Sequence, residues 1–300
     1  MKVLKILSFT LMLSLGLMVA ACGDDTDPEA DFDEHAQEGS VELRIVKGSP
    51  GSELDVMKFD ITAPEADAVV TDDSVSVTLT LQGMSLKAPT PGEGANDLAY
   101  SKDGQHIHVI VDNEPYMAMY DTTFRIGGLA PGAHTIRAFP SRSWHESVKK
   151  PGAFVARTFY VGEKKGDALF NPEQPLLTYS RPKGEYVGTD ARKIMIDFYI
   201  SNCELGQNAY KVVASIDGKE MDTLTEWVPY FIEGLKEGEH SIRLQLIGPD
   251  GKPVVNGSYN DTERKIIVKK EKEESAKKEG GEEEDLEKDL YDVGRHSSGM

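Results

Sequence analysis

The sequence predicts an all-β chain, two tandem β-sandwich modules with a polar segment at either end. Three observations carry that expectation. Short runs of β-branched and aromatic residues recur through residues 41–268, divided by Gly, Pro, Asn or Asp. Helical periodicity is essentially missing from the same stretch. Most decisive, the pattern of the first half returns in the second. Residues 110–115 (IVDNEP), 124–137 (FRIGGLAPGAHTIR) and 159–161 (FYV) have counterparts at 215–220 (SIDGKE), 231–243 (FIEGLKEGEHSIR) and 266–268 (IIV).

Taken in order, residues 1–21 read as a secretory leader. Lys2 and Lys5 make a basic start, residues 6–20 are apolar, and Val19, Ala20 and Ala21 are small residues before a cut. The apolar run is shorter than the roughly 20 residues that a spanning helix needs. Cys22 follows at once, and the sequence around it resembles a bacterial lipobox. That resemblance implies cleavage before Cys22 and acyl chains on the mature N-terminal cysteine. Residues 22–40 form an acidic tether: seven acids from Asp24 to Glu34 have no Lys or Arg among them, and too few large apolar residues are present to bury.

Module 1 is expected over residues 41–162. Residues 75–81 (VSVTLTL) alternate strictly, placing Val75, Val77, Leu79 and Leu81 on one face. Residues 106–111, 135–139 and 154–161 are further strand-like runs. Residues 163–181 read as a Pro-containing linker and residues 182–268 as module 2, with Pro182 and residues 193–199 matching Pro64 and residues 75–81. Residues 269–300, rich in Lys, Glu, Gly and Ser, lack an apolar face and read as a disordered charged tail.

The formal charge of −18 excludes nucleic acid as a partner, since phosphate binding demands a basic face. It also leaves membrane attachment to the acyl chains. With Cys22 lipidated, Cys203 has no mate for an intramolecular disulfide and reads as a small, partly buried hydrophobe.

The repeat acts as an internal comparison: features of both copies point to fold, and features of one copy point to function. His134 and His240 are shared, as are Asp112 and Asp217, so the bland reading for all four is structural. His106 and His108 belong to the first copy alone, their counterparts being Lys211 and Val213. If Ile107, Val109 and Val111 face inward, the two histidines project together from the outer face. A His-x-His pair spaces its imidazoles for one transition metal, and a third ligand is then required. His145 is the candidate third and His134 a further one, with copper or zinc as the ion. Copper would be favoured if Met84, Met117 and Met119 converge on the same place. The competing reading makes the histidines outward polar or hydrogen-bonding residues, with no cofactor.

Residues 141–150 are the second singular feature. Arg142, Trp144, His145 and Lys149 gather in an otherwise acidic protein, the composition of an exposed recognition patch for a protein partner or a small ligand. The alternative has Trp144 capping a core while the charges are solvated. No nucleophile elbow, phosphate loop or zinc-protease motif is present, so no catalytic residue is expected.

Three stretches, GQHIHVIVDNEPY (104–116), GAHTIRAFPSRSWHES (132–147) and WVPYFIEGL (227–235), resemble a group of poorly characterised envelope lipoproteins of Bacteroidota and related bacteria. Some of these carry the label phosphopeptide-binding. The resemblance implies tandem immunoglobulin-like sandwiches on an outer-membrane lipoprotein, periplasmic or surface-exposed, and no particular activity. The leading expectation is a non-catalytic lipoprotein that binds a protein partner or small ligand through module 1. A copper or zinc binder using His106, His108 and His145 is one alternative, and a structural spacer or assembly component is another.

Overall fold

Alternation decides which residues pair and which face they show. The computed structural model describes residues 41–51, 54–91, 98–166 and 170–269. The leader, Cys22, the acidic tether and nearly all of the charged tail lie outside the described residues. Nine strands fill the first part: β1 (Arg44–Lys47), β2 (Lys58–Ala63), β3 (Val69–Val70), β4 (Val75–Gln82), β5 (His106–Val111), β6 (Met117–Met119), β7 (Thr123–Ile126), β8 (Gly132–Ser141) and β9 (Val155–Val161). Eight follow: β10 (Leu176–Arg181), β11 (Gly184–Val187), β12 (Lys193–Ser201), β13 (Lys211–Ile216), β14 (Lys219–Leu224), β15 (Tyr230–Glu233), β16 (Gly238–Ile247) and β17 (Asp261–Lys269).

These strands build the same immunoglobulin-like sandwich twice. In the first, the sheet β2-β4-β7 faces the sheet β3-β9-β8-β5-β6. In the second, β1-β15-β12-β10 faces β11-β17-β16-β13-β14. Each copy places one short strand parallel to its last long strand, β3 beside β9 and β11 beside β17. Each has a register shift next to a cis X-Pro bond, at Ala63–Pro64 and at Arg181–Pro182. Each sandwich also has its own apolar core. Val75, Val77, Ile107, Val109, Ile136 and Phe159 anchor the first, and Ile194, Ile196, Val212, Ile242, Leu244 and Ile266 the second.

Two boundaries differ from the sequence expectation. β10 falls inside the expected linker and is the counterpart of β2, so module 2 begins by Leu176 rather than at residue 182. β1 falls inside expected module 1 but pairs antiparallel with β15, extending the sheet of module 2 by one strand. Ile45 then sits opposite Ile232 and packs on the second core, which is what draws this segment across.

The two sandwiches are joined along broad outer faces. β13 and β17 alternate buried and open residues, as strands with one wet face should. β5 and β10 are buried at every position, and β12 at all but its ends. Their second faces meet in a seam where Ile110, Tyr116 and Phe139 pack against Tyr199, with Trp227 beside them. Polar groups complete it. Arg137 donates to Thr178 Oγ1 and stacks over the Tyr259 ring at 4.1 Å, while Arg264 donates to the carbonyls of Asn113 and Glu114.

Candidate metal centre in the seam

β5 sets the first two ligands. Ile107, Val109 and Val111 point into the module 1 core, as the alternation requires. His106 and His108 therefore share the opposite face, where each is fully buried beneath module 2. The third comes from the turn after β8. His106 lies across from Ser141, the last residue of β8, so the chain leaving that strand starts beside the histidine pair. The Arg142 amide then donates to the Glu146 carbonyl, and the His145 amide to the Arg142 carbonyl. This tight turn holds His145 in the left-handed region, φ 65°, a costly conformation that concentrates at functional sites.

Three ring nitrogens converge as a result. His106 Nε2 lies 2.9 Å from His108 Nε2 and 3.1 Å from His145 Nδ1. All three donor atoms fall within 4.8 Å of one another, and no carboxylate belongs to the group among the described residues. Hydrogen bonds around the cluster fix how the rings present themselves. His106 Nδ1 sits 2.9 Å from the Gly104 carbonyl, an acceptor only, so that nitrogen carries the proton and Nε2 offers its lone pair. Gly104 is required there: its φ is 84°, and a Cβ would come within 2.6 Å of the Ala88 carbonyl oxygen. His108 Nδ1 has Ser180 Oγ at 3.0 Å, from β10 of module 2. These are the outer partners that orient metal-binding imidazoles.

The surroundings keep the His108 and His145 rings neutral. Burial, then the charges of His106, His145, Arg181 and Lys183, hold His108 well below the usual imidazole range. Burial, then Arg181, His106 and Lys183, do the same for His145. A neutral imidazole is the ligating form, so the environment removes protons as competitors for the lone pairs. His106 Nε2 has both His108 Nε2 and His145 Nδ1 within hydrogen-bond distance of its one lone pair. An ion about 2.0–2.1 Å from His106 Nε2 and from either neighbouring nitrogen would see an angle of about 90–100°, and His108 Nε2 and His145 Nδ1, within 4.8 Å of each other, could both reach it once closed to about 4.2 Å. Such angles suit tetragonal or distorted tetrahedral copper and zinc centres.

Other sequence expectations fare differently. His134 does not join the cluster: Nδ1 pairs with Asp112 at 2.9 Å and Nε2 with the Ala130 carbonyl at 2.6 Å. His240 repeats this with Asp217 at 2.7 Å and the Lys236 carbonyl at 2.8 Å, so both are strand-mouth clamps in the two copies. Asp112 and Asp217 have φ of 52° and 50°, the left-handed turn geometry that Asp tolerates. Met84 lies in the module 1 core, and Met117 and Met119 pack against that core, on the face away from the histidines. No thioether therefore comes from those three.

The expectation of an exposed recognition loop is corrected. Trp144 is buried against Met195 and Phe231 of module 2, and its indole N–H donates to Glu146 at 2.8 Å. Arg142 is buried 5.6 Å from the Trp144 ring centre. Lys149 is ion-paired to Asp197 of β12 and donates to Ser147 Oγ at 2.8 Å, with its side chain 5% exposed. These residues are turned inward because module 2 covers them. Cys203 packs partly buried against the second core, and burial pushes its thiol up to about 12. Tyr116, Ser180, Arg181 and Lys183 are site residues that sequence reasoning missed. The signal available was the near-continuous apolar run of β12 (KIMIDFYIS), interrupted inside only by Asp197, which marks a strand covered on both faces.

No family model and no curated protein matches this chain. Among solved structures it is similar to the fibronectin(III)-like modules of Clostridium thermocellum CbhA, at 15% identity, covering 75% of this chain and 100% of that one, with a TM-score of 0.26. It is also similar to the central fibronectin-III array of RIM-binding protein, at 11% identity over 75% and 72%, TM-score 0.24. A third is Bacteroides ovatus SGBP-B of a mixed-linkage glucan utilization locus, solved with a heptasaccharide, at 14% identity over 70% and 47%, TM-score 0.22. At these TM-scores the likeness carries no functional argument, which rests on the side chains of the seam. No helix among the described residues is long and apolar enough to cross a membrane.

Proposed function

We propose that this chain is a non-catalytic envelope lipoprotein that holds one copper or zinc ion between its two sandwiches. The observation that carries the reading is the convergence of His106 Nε2, His108 Nε2 and His145 Nδ1 within 4.8 Å. His106 and His108 are buried and oriented by outer hydrogen bonds, and His108 and His145 are held neutral, which is the chemistry of a metal centre rather than of a solvated surface. Binding is favoured over catalysis because a catalytic metal keeps a position open to substrate, whereas His106 and His108 are wholly covered. The acyl anchor on Cys22 and an outer-membrane location, periplasmic or surface-exposed, belong to the same proposal and rest on the leader and its lipobox resemblance.

The test is elemental analysis of the full chain purified without chelator, repeated on His106→Ala and His108→Ala. The proposal expects about one equivalent of metal in the natural chain and background levels in each variant. Background metal in the natural chain after incubation with copper or zinc would refute it.

A further inference from the structure

The corner of module 2 that lies against residues 141–150 gathers two cations at a small cavity. β10 ends at Arg181, β11 carries Tyr186 and β12 begins at Lys193, so three neighbouring strands bring these side chains to one place. All three line the cavity, and its apolar walls include Leu98, Trp144 and Met195. Arg181 is 8% exposed and Tyr186 2%, so both polar groups are held away from solvent.

Hydrogen-bond accounting shows what this cavity lacks. The Arg181 guanidinium donates to the hydroxyl of Tyr186 at 3.2 Å and to that of Tyr116, whose ring stacks on His108. Its Nε–H is buried and has no partner among the described residues. Tyr186 Oη accepts from Arg181 and from the Lys183 amide at 3.3 Å. Both of its lone pairs are then used, and its own O–H still needs an acceptor. Lys193 Nζ lies 4.4 Å from the centre of the Phe231 ring and forms no ion pair among the described residues. Asp197, across the ladder from Arg181, is already taken by Lys149 and by the Ser147 amide and hydroxyl. Three donors thus line one cavity, and no described residue of its lining is a carboxylate.

Charge decides what fills it. A water molecule takes the hydrogen bonds but leaves a buried guanidinium uncompensated, which is costly at low dielectric. A monoanion takes the same bonds and balances the charge. The enclosed part of the cavity has room for one group of about water's size. Nε–H is one donor rather than a pair, whereas a carboxylate prefers the paired edge of a guanidinium. We infer that this corner is a binding site for a single small monoanion, a chloride, held by Arg181 Nε, Tyr186 Oη and Lys193 Nζ. The site is independent of the metal centre.

The test therefore keeps chelator present throughout. The full chain is titrated with sodium bromide at constant ionic strength, sodium sulfate making up the balance, while tryptophan emission is followed. Trp144 lines the cavity, and a heavy halide in contact with an indole quenches its emission. The expected quenching saturates, and added chloride restores the emission where formate does not. In Lys193→Met, and separately in Arg181→Met, the half-saturating concentration rises at least about tenfold, the effect of removing one charge-assisted hydrogen bond. Quenching that grows linearly with bromide is collision rather than binding and overturns the inference, as does saturation untouched by either substitution. Formate competing as well as chloride overturns the choice of a monatomic anion. Anomalous scattering from a crystal of the natural chain grown in bromide gives a second reading. An ion in contact with Arg181 Nε is expected, and its absence would give the guanidinium to a carboxylate of the chain itself and overturn the site. Saturation, competition and scattering are all read on the natural chain, so poor folding of a variant does not shield the inference.

Discussion

Acidification of the metal-free protein offers a quantitative handle on the buried histidines. In the native state, burial first and then the neighbouring charges hold His108 and His145 well below the ordinary imidazole value. In the unfolded chain both titrate near about 6.5. Below that pH the unfolded state takes up two protons that the native state refuses, so stability is complete above it and declines as pH falls. Each group contributes a slope approaching about 1.4 kcal/mol per pH unit. His108, wholly buried, should give nearly the full effect, and His145, partly open, somewhat less. From pH 6.5 to pH 5 the summed loss is about 2–3 kcal/mol. Carboxylates with depressed values, Asp217 beside His240 and Asp261 beside Arg243, are lost only at lower pH and stay outside this window. The assay is urea denaturation with chelator present, at half-unit steps, on the natural chain and on His108→Gln/His145→Gln. The variant should flatten the profile between pH 6.5 and pH 5. Equal slopes for the two proteins would show that the imidazoles are protonated as freely in the native state as in the unfolded chain.

Three further outcomes are expected. Lys149→Met strands Asp197, fully buried, without its cation and should cost about 3–5 kcal/mol in urea unfolding, while adding Asp197→Leu should recover most of it; a loss under about 1 kcal/mol from the single change would mean that the pair is solvated. At His145, φ 65° penalises any residue with a Cβ, so His145→Ala should be about 1 kcal/mol less stable than His145→Gly, with metal lost from both. Equal stabilities would argue against the left-handed turn. His134→Ala and His240→Ala each break a clamp onto an aspartate and a carbonyl, costing about 1–2 kcal/mol with metal content unchanged; a drop in bound metal in His134→Ala would return that residue to the site.

Much of this architecture is legible in the sequence because alternation and duplication are local signals. The strict alternation of residues 75–81 became β4, and the Asp-His correspondence of the two copies became the same clamp twice. Alternation that turns Ile107, Val109 and Val111 into the core puts His106 and His108 on the outer face, where the structure has them. What alternation does not encode is what covers an outer face. The seam joins residues far apart in the chain, such as His108 with Ser180 and Lys149 with Asp197. Polar residues such as Arg142 and Lys149 therefore read as solvent-facing until module 2 is laid over them. The same blindness moved two strands. β1 joins β15 from almost the other end of the described chain, and β10 was hidden in a segment whose prolines read as a linker. Tyr116 was missed because it stands in a connection rather than in a patterned run.

The central claim, an ion held by the three seam histidines, is met most directly by X-ray absorption at the metal edge of the loaded full chain. The account predicts three imidazole nitrogens at about 2.0–2.1 Å from one ion. A bound ion with fewer than two imidazoles, or a spectrum unchanged by His106→Ala and His108→Ala, would place the metal elsewhere and contradict it.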